Sequence, residues 1–595
     1  RPYFEGGKED LIARGLDLSE SWNTDLAVPR PLTEAEKAVI AEPFIENYAA
    51  LSSNAKAPKP CKLKFAWVDI PTGDAQPIRQ KPYPIPHAYL PHVRKEIDGL
   101  LKAGLIEPGY SDWCSPVIVI VKKDSTASDV RVKLAIDFRK LNAATVVDSG
   151  GLGTQHDTLL GGRDLPNRTL ADAAGGYYQF RLTPQAQRRA CLILPAAAGG
   201  TSFCWKVAPY GLARMPAHYS RVMMYVLQGM RDVDLGDVQS AYPQFDVDGL
   251  PAAADVGPVP RAGAPEAQFV CHGADVAGAE ARRRSLGRGE ASSWLDDICI
   301  RTGSSGSGLG IHGHAHMLRL VLQRLRAAGM TLKGSKTHVL RIATEVLGHI
   351  MDRHGIRADP KKVEAIDKMP TKLTSASKIL GFMGMVNFYR EYVHQLSTQA
   401  EPLFRLLKKE YQTGGPLPWG AEQDAAMASI KQELKQDIMR SHPDFKDPNA
   451  EFVIMTDASK VAAGAALFQW QRELAGDQGR NTHEAIVPKL MREDKDPFLV
   501  THEKRVAAGY KLKCIAFFSK TFNDTQRKWA IYDKEAASIV LALAQWKDLV
   551  SSHPCTVYTD NTVAESIMRP GNTHQPPRLQ RWGIQLGTYL PLLRI

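Results

Sequence analysis

Two adjacent carboxylates, Asp296 and Asp297, lie inside SSWLDDICI (292–300), an otherwise apolar run that is typical of a short strand. Neighbouring anions repel each other, and burying either one without a counter-charge costs several kcal/mol, whereas a divalent metal ion removes that cost. Because successive side chains of a strand point to opposite faces, the two carboxylates cannot both bind one ion equally well, and a third carboxylate is expected from elsewhere. Solvated aspartates in a hairpin turn are the alternative interpretation of the pair.

The composition favours a nucleic-acid partner. The 595 residues suffice for about three or four domains, and the formal net charge is +11. A basic chain favours a polyanionic partner, of which nucleic acid is the natural candidate. The eight cysteines are scattered without a CxxC pair, so they predict neither a zinc site nor a disulfide framework and fit a reducing compartment.

The sequence lacks an apolar run of about 18 residues and a secretory leader. We therefore expect an intracellular, cytoplasmic protein, with the nucleus as an alternative location, that is not secreted and does not contact a membrane. The chain begins with Arg1, which indicates a piece of a longer protein.

Hydrophobic periodicity predicts the elements that position these groups. HAYLPHVRKEIDGLLKAGLIEP (87–108) predicts an amphipathic helix, and SPVIVIVKKD (115–124) and VKLAIDF (132–138) predict paired strands. RTLADAAGGYYQFRL (168–182) starts as a strand and then carries Asp172 and a Gly-Gly turn. The first 60 residues are polar, Pro-rich and without sustained periodicity.

Further motifs follow one another in a fixed order from about residue 63 to the C-terminus. They are GDAQPIRQKPYPIP, LLKAGLIEPGYSDWCSPVIVIVKKD, AIDFRKLN, WKVAPYGLARMPA, WLDDICI, LVLQRLRAAGMTLKGSK, LGHIMDRHGIRADPKKVEAI, LGFMGMVNFYREYV, TDAS, YDKEAASIVLAL and VYTDN. This order resembles the reverse transcriptase and ribonuclease H region of the Pol polyprotein of gypsy-type (Ty3-like) LTR retrotransposons.

The resemblance implies an α+β palm polymerase, with fingers, palm and thumb in a right-hand arrangement. A connection segment and an α/β ribonuclease H-like domain, C-terminally incomplete, would follow. The implied domains are an N-terminal extension (1–60), fingers and palm (61–355), thumb (356–395), connection (396–450) and ribonuclease H-like domain (451–595). Two segments depart from the family: 231–291 is expected to be a disordered excursion outside the palm, and an extra segment at about 474–510 interrupts the ribonuclease H sheet.

The resemblance assigns the missing third carboxylate to Asp172. In such polymerases the three aspartates hold two Mg²⁺ ions roughly 3.5–4 Å apart, and Asp296 would be the more direct ligand of the adjacent pair. Trp294 stands where the family has Tyr, so the ring is kept and the hydroxyl is replaced by an indole N–H.

Nucleotide binding is implied for a further set of residues. Tyr177 would lie under the sugar and exclude a 2′-hydroxyl, with ordinary core packing as its alternative role. Lys122 or Lys123 would reach the triphosphate, unless both are solvated charges at a strand end. Lys133 replaces the usual Arg, so a point charge stands where the family has a bidentate fork. Tyr210 would line the pocket, Lys336 would be the general acid for pyrophosphate, and the hairpin around Leu347, Gly348 and His349 would grip the primer.

The C-terminal domain carries a second set of carboxylates. Asp457 ends a β-run, Glu535 lies in a predicted helix and Asp560 ends the strand CTVYTD. The resemblance implies that these three share Mg²⁺ and orient water on the RNA strand of a hybrid. The fourth carboxylate of the family lies in a motif beyond Ile595, so we expect weaker hybrid cleavage than polymerisation.

Two further patterns have simpler explanations. GSSGSGLG (303–310) lacks the Lys-Ser/Thr of a phosphate cradle, so a flexible loop is favoured. His312, His314 and His316 alternate like a metal-binding tract, but solvated loop histidines are favoured over metal ligands.

The predicted function is an RNA-directed DNA polymerase, a nucleotidyltransferase, with a ribonuclease H endonuclease module, which copies retrotransposon RNA into DNA by two-metal nucleotidyl transfer. The implied cofactor is Mg²⁺, with Mn²⁺ as an alternative. The implied partners are RNA and DNA template–primers, RNA–DNA hybrid and dNTPs, with a flanking protease and integrase and a virus-like particle in the cytoplasm. The alternatives are a decayed, inactive retroelement copy that only binds nucleic acid, and a DNA-templated palm polymerase. The TDAS…E…TD module argues against the latter, because hybrid hydrolysis is needed only after RNA is copied.

Overall fold

The computed structural model describes most of the chain and divides it into two compact units. Unit 1 comprises residues 1–158 and 164–344, and unit 2 comprises residues 159–163 and 345–595. None of the described helices is both long and apolar enough to cross a lipid bilayer. The described residues are 11–24, 29–52, 58–121, 132–147, 159, 165–230, 233–235, 288–303, 310–408, 417–445, 447–472, 497–551, 553–559, 578, 580–582 and 593–594.

The described part of unit 1 contains two five-stranded sheets and a two-stranded ribbon. In chain order, its strands are β1 (Trp22–Asn23), β2 (Arg30–Pro31), β3 (Ile106–Pro108), β4 (Cys114–Val121), β5 (Val132–Ile136), β6 (Asn167–Asp172), β7 (Cys191–Ile193), β8 (Ser202–Trp205), β9 (Val233–Asp234), β10 (Arg288–Trp294), β11 (Asp297–Thr302) and β12 (His338–Val339). Its helices are α1 (Glu34–Glu46), α2 (Leu90–Lys102), α3 (Arg139–Ala144), α4 (Pro184–Arg189), α5 (Met215–Val226) and α6 (Gly310–Ala328).

The first of these sheets carries the two-aspartate motif. Its strands follow the order β12-β6-β11-β10-β9, and every neighbouring pair is antiparallel. Ile298 and Ile300 of β11 lie in the same buried core as Leu318, Val321 and Leu325 of α6. The apolar face of α6 therefore packs against the sheet. The polar aspartates lie at the ends of β6 and β11.

The second sheet has the order β3-β8-β7-β4-β5. The antiparallel pairing of β4 with β5, in which Val117 lies opposite Ile136, confirms the predicted strand pair. Cys191 and Cys204 are cross-strand partners on β7 and β8 and form a disulfide. This disulfide was not predicted from the scattered cysteines, because strand pairing and not spacing along the chain brings Cys191 and Cys204 together.

The N-terminal extension is more regular than its composition indicated. Helix α1 begins with a capping box, in which the Thr33 hydroxyl accepts a hydrogen bond from the Glu36 backbone N–H and the Glu36 carboxylate accepts one from the Thr33 N–H. Ile40 and Phe44 of this helix are buried in the core of unit 1. One face of this helix is therefore buried although the sequence shows no sustained periodicity there.

Unit 2 contains the remaining elements. Its strands are β13 (Ala343–Val346, which spans the boundary between the units), β14 (His349–Asp352), β15 (Gly355–Ala358), β16 (Arg440–Ser441), β17 (Phe452–Ala458), β18 (Ala462–Arg472), β19 (Tyr510–Thr521), β20 (Cys555–Tyr558) and β21 (Leu593–Arg594). Its helices are α7 (Pro360–Asp367), α8 (Ala376–Phe388), α9 (Leu396–Gln399), α10 (Glu401–Arg405), α11 (Ala421–Lys435), α12 (Pro497–Ala507), α13 (Asp524–Arg527), α14 (Ile531–Gln545) and α15 (Lys547–Val550).

The C-terminal part of unit 2 is a mixed sheet with the strand order β19-β18-β17-β20-β21. Strands β17, β18 and β19 pair antiparallel, whereas β20 is parallel to both β17 and β21. Helix α14 packs against β17 and β18. The β-run that ends near Asp457, the helix that carries Glu535 and the strand before Asp560 are thus confirmed as elements.

The two atypical segments lie largely outside the described residues. At the ends of 231–291, Val233 pairs with Gly289 and Asp234 with Arg288 in the sheet that carries the motif. These ends are therefore part of the palm sheet, and the prediction of an excursion is wrong for them. The described end of the second segment, 474–510, contains helix α12, and its last residue, Tyr510, begins β19.

Candidate functional site

The motif SSWLDDICI forms a hairpin and not the single strand that its apolar character predicted. Trp294 at the end of β10 pairs with Asp297 at the start of β11, so Leu295 and Asp296 form a two-residue turn. Leu295 has a φ of +49°, in the left-handed region that tight hairpin turns require. The turn interpretation was therefore right about the backbone, but both aspartates are half-buried and not fully solvated.

Asp172 is the third carboxylate of this site. It ends β6 directly opposite Asp297, and the backbone N–H of Ala173 donates to the carbonyl oxygen of Asp296 at 2.9 Å. The structure thus brings the three predicted aspartates to one end of the sheet. Among the described residues, no group of three His, Cys, Asp or Glu side chains is arranged closely enough to hold a metal ion as it stands.

The charges at this end of the sheet are coupled. Lys336 donates to Asp172 Oδ1 at 3.1 Å, so an ammonium group lies at the carboxylate cluster. Burial raises the pKa of Asp296, the negative charge of Asp172 raises it further, and Lys336 opposes the shift. Carboxylate oxygens are the ligands that Mg²⁺ prefers, so the donor chemistry fits the predicted cofactor although the side chains are not in coordinating positions.

Three predicted nucleotide-binding residues lie next to one another. The rings of Tyr177 and Tyr210 are 5.1 Å apart, and the Lys133 ammonium lies 5.1 Å from the centre of the Tyr210 ring. Burial raises the pKa of Tyr177 to about 12, and the charge of Asp296 contributes to the shift. Tyr177 also packs against the buried ring of Tyr219, so its predicted pocket role and its alternative core role are both compatible with its position.

Gly176 lies between this pocket and the aspartates. The sequence analysis did not identify it as a site residue. Its φ is +44°, and a Cβ at this position would lie 3.0 Å from Tyr210 Oη and 3.2 Å from Asp296 Oδ2. Only glycine fits both the backbone conformation and the space. The signal in the sequence was the Gly-Gly pair that follows Asp172.

The segment predicted to grip the primer is a hairpin between β13 and β14. Leu347 and Gly348 both have positive φ, +52° and +78°, as a two-residue turn of this type requires. The His349 ring stacks between Phe388 and Tyr392, and burial lowers its pKa to about 4. His349 is therefore a neutral part of an aromatic cluster that fixes the hairpin.

A second pair of carboxylates lies in unit 2. Asp457 on β17 is exposed, whereas Glu535 on α14 is buried and accepts a hydrogen bond from the backbone N–H of Ala458 at 3.2 Å. The strand and the helix thus bring the two predicted acids to one edge of the sheet. Asp560, Lys122 and Lys123 lie outside the described residues.

Two further features of the described residues differ from the sequence expectations. Gln395 donates to Asp457 Oδ2 at 2.5 Å, a contact without a signal in the sequence. His314 lies inside α6, fully buried between the hydroxyls of Thr169 and Thr302. The prediction of solvated loop histidines is therefore wrong for His314, because α6 begins earlier than its Gly-rich start indicated.

Comparison with known proteins shows similarity to proteins of retroelements. Residues 447–589 match the family model of the RNase H-like domain found in reverse transcriptase. The retrovirus-related Pol polyprotein from transposon opus of Drosophila melanogaster is 24% identical over 532 residues, which are 88% of this chain and 42% of the relative. The corresponding polyprotein from transposon gypsy of the same organism is 23% identical over 520 residues, 84% of this chain and 42% of the relative. The transposon Tf2-3 polyprotein of Schizosaccharomyces pombe is 22% identical over 548 residues, 91% of this chain and 32% of the relative.

Solved structures with the same fold are reverse transcriptases. The foamy viral protease-reverse transcriptase dRH in complex with double-stranded DNA superposes with a TM-score of 0.65 and 17% identity, covering 94% of this chain and 78% of that one. The foamy viral protease-reverse transcriptase in complex with RNA/DNA hybrid gives a TM-score of 0.64 and 17% identity, with 94% and 60% covered. This likeness confirms the predicted fold class, a polymerase followed by a ribonuclease H-like domain.

The homologues of this chain are thus Pol polyproteins of the gypsy, opus and Tf2 retrotransposons, which confirms the resemblance stated from the sequence. The chain spans less than half the length of each of these relatives.

Proposed function

We propose that this chain is an RNA-directed DNA polymerase with a ribonuclease H module, which copies retrotransposon RNA into DNA. The observation that carries the proposal is the position of Asp172 directly opposite Asp297, beside the turn that holds Asp296. Homology to Pol polyproteins supports the same enzyme class. The flanking protease and integrase and the intracellular location stay predictions.

The polymerase chemistry is assigned to the residues at the end of β6 and β11. Asp172, Asp296 and Asp297 would hold divalent metal ions, which when bound activate the primer 3′-hydroxyl and neutralise the charge of the triphosphate. Lys336, which lies beside Asp172, would donate a proton to the leaving pyrophosphate. This role is supported by the ammonium group that the structure holds beside Asp172.

Selection of the nucleotide is assigned to the aromatic pocket. The ring of Tyr177 would clash with a ribose 2′-hydroxyl, and Tyr210 would form the neighbouring wall. Lys133, which lies beside the Tyr210 ring, would attract the triphosphate as a point charge. The mutual contacts of these three side chains support a common pocket, and the dNTP and template–primer partners are part of the proposal.

Cleavage of the RNA strand of a hybrid is assigned to Asp457, Glu535 and Asp560. The backbone N–H of Ala458 fixes the Glu535 carboxylate beside the strand that carries Asp457. The match of residues 447–589 to a ribonuclease H-like family model supports this assignment.

A second candidate is an inactive copy that binds nucleic acid without chemistry. It is favoured by the two segments, 231–291 and about 474–510, that depart from the pattern of the family. Such a copy would bind template–primer through its basic charge and extend nothing.

Primer extension on poly(rA)/oligo(dT) with Mg²⁺ separates the two candidates. We expect extension by the full chain and none by Asp296→Asn, while template–primer affinity stays within a few-fold, because affinity comes mostly from phosphate contacts. The control is Asp98→Asn on the exposed face of α2. Extension that survives Asp296→Asn contradicts the assignment, and binding without extension by the unsubstituted chain favours the inactive copy.

A further inference from the structure

The N-terminal extension contains a buried turn, residues 11–16, to which the sequence motifs assign no role. The backbone N–H groups of Arg14 and Leu16 both donate to the carbonyl oxygen of Leu11. The side chains of Leu11 and Leu16 are buried in the core of unit 1. The Arg14 guanidinium donates to Tyr48 Oη at 2.8 Å. This N-terminal turn is therefore held in place by core contacts and by one anchored side chain.

The N-terminal turn packs backbone to backbone against residues 333–337, the Lys336 loop. A Cβ on Gly334 would overlap a backbone carbonyl oxygen of the turn. A Cβ on Gly15 would lie 3.0 Å from the backbone nitrogen of Ser335, and the φ of Gly15 is +82°, a conformation that favours glycine. Two glycines, one on each side, thus allow a contact that is closer than side chains would permit.

The Lys336 loop is bonded in turn to the strand that ends in Asp172. The backbone N–H of Lys333 donates to the carbonyl oxygen of Asp172 at 2.8 Å. The Lys336 ammonium donates to Asp172 Oδ1 at 3.1 Å, although the Lys336 side chain is 56% exposed. Because packing around this side chain constrains it little, the position of the ammonium depends on where the loop backbone is held.

A second contact of the extension lies just after the Lys336 loop. Ser21 Oγ donates to the carbonyl oxygen of Val339 in β12 at 2.8 Å. The backbone N–H of Trp22 donates to the carbonyl oxygen of Leu340 at 2.9 Å. The extension therefore supports the loop itself and the strand that leads away from it.

We propose that the N-terminal turn is a positioning element of the polymerase site, which holds the Lys336 loop so that the ammonium lies at Asp172. The turn acts through the loop. A loop that loses this support samples more positions, and the ammonium is then less often where a leaving group needs its proton. The proposal rests on the polymerase assignment made above, since it takes Lys336 to be the general acid.

Hydrogen exchange of the full chain tests the proposal without a measurement of activity. Gly15→Ala places a methyl group against the loop, whereas Arg14→Ala removes the anchor of the turn and adds no atom to the contact. The matched control is Gly104→Ala in the same unit, because Gly104 also has a positive φ, +67°, and no neighbouring atom within 4 Å. We expect the peptide that contains residues 333–337 to exchange roughly tenfold faster in the first two variants and at an unchanged rate in the control.

Two results of the exchange experiment would overturn the proposal. One is unchanged exchange of the Lys336 loop in both Gly15→Ala and Arg14→Ala. The other is an equal acceleration in Gly104→Ala, because the effect would then come from lost stability and not from the contact. If Gly15→Ala accelerates exchange throughout unit 1, Arg14→Ala decides alone.

Primer extension measures the consequence for the reaction. The kcat of Gly15→Ala should fall roughly tenfold with the KM for a dNTP within about twofold, because the loop would act on proton transfer and not on nucleotide binding. Added to Lys336→Met, the same substitution should cause no further loss, since the group that it misplaces is already absent. A further loss of the same size would overturn the positioning role. Faster loop exchange in a chain that extends no primer would uphold the support of the loop and reject the polymerase function.

Discussion

Asp297 and Asp172 are direct cross-strand partners at the ends of β11 and β6. The pairs that follow them, Ile298 with Ala171 and Cys299 with Leu170, are buried and contain only apolar side chains or a thiol. Both faces of β11 are buried here, so a shift of the register by one residue would give each of these side chains new neighbours in a close-packed core. Burial of the strand interiors therefore fixes the two aspartates opposite each other, and the charge of Asp172 acts on Asp296 in the adjoining turn.

The first prediction concerns Lys336, the ammonium group bonded to Asp172. Lys336→Met should lower the extension rate by roughly a hundredfold, because a positioned proton donor typically contributes about that much. Since Lys336 lowers the pKa of Asp296, its loss should raise that pKa. The Asp296 carboxyl of the metal-free protein should then titrate at higher pH, because the opposing ammonium charge is gone.

The extension rate with Mg²⁺ measures the first effect, and a carboxyl titration of the protein without metal measures the second, with Lys102→Met at the exposed end of α2 as a control for charge loss. An unchanged rate together with an unchanged titration of Asp296 would remove Lys336 from the site.

The second prediction concerns Tyr177. Tyr177→Ala should reduce discrimination against ribonucleotides at least about tenfold, because the ring that would contact the 2′-hydroxyl is gone. Tyr177→Phe is the matched variant, since it keeps the ring and should keep discrimination. The measurement is the ratio of kcat/KM for a dNTP and the corresponding rNTP. If Tyr177→Ala discriminates as well as the unsubstituted chain, the residue only packs against Tyr219.

The third prediction separates crowding from backbone strain at Gly176. Gly176→Ala places a methyl group against Tyr210 and Asp296 in a left-handed backbone, whereas Gly73→Ala has the same backbone conformation with no neighbouring atom within 4 Å. Both variants should lose about 1 kcal/mol of unfolding free energy through the left-handed conformation. Only Gly176→Ala should also lose extension activity. Equal activity in the two variants would show that the space around Gly176 has no part in the reaction.

Residue types along the chain predict part of the candidate site, but not all of it. Asp296 and Asp297 can be recognised because ionised groups inside apolar runs require a counter-charge or a metal, whereas Asp172 was assigned only through the resemblance to the family. The turn at Leu295 was only the alternative interpretation, since the apolar residues on both sides match the pattern of one continuous strand. Helix α1 was missed although its capping box, Thr33 and Glu36, was visible in the sequence.

Contacts between distant segments are the part that local patterns do not encode. Gln395 and Asp457 are 62 residues apart, and Cys191 meets Cys204 only after β7 and β8 have paired. Such contacts depend on sheet register and on the docking of whole segments. The fold class, in contrast, can be predicted from the order of many motifs along the chain. An error in a single predicted element therefore does not change the predicted fold class.

The last prediction concerns the pH dependence of stability through His314. Its two ring nitrogens bond to the hydroxyls of Thr169 on β6 and Thr302 on β11, at 2.8 and 2.9 Å, and burial lowers its pKa from 6.5 to about 3. The folded protein therefore keeps this imidazole neutral where the unfolded chain already binds a proton. The neutral, buried His314 contributes fully to the free energy of unfolding above about pH 6.5, and this contribution is lost progressively as the pH falls from there toward 3.

His314→Gln keeps a group that can bond to both hydroxyls and removes the titration, so its stability should fall less steeply below pH 6.5. Thermal unfolding of the full chain between pH 4.5 and 7.5, compared between the two proteins, measures the difference. Parallel curves would mean that His314 is protonated without cost in the folded state, which contradicts its burial between the two strands that carry Asp172 and Asp297.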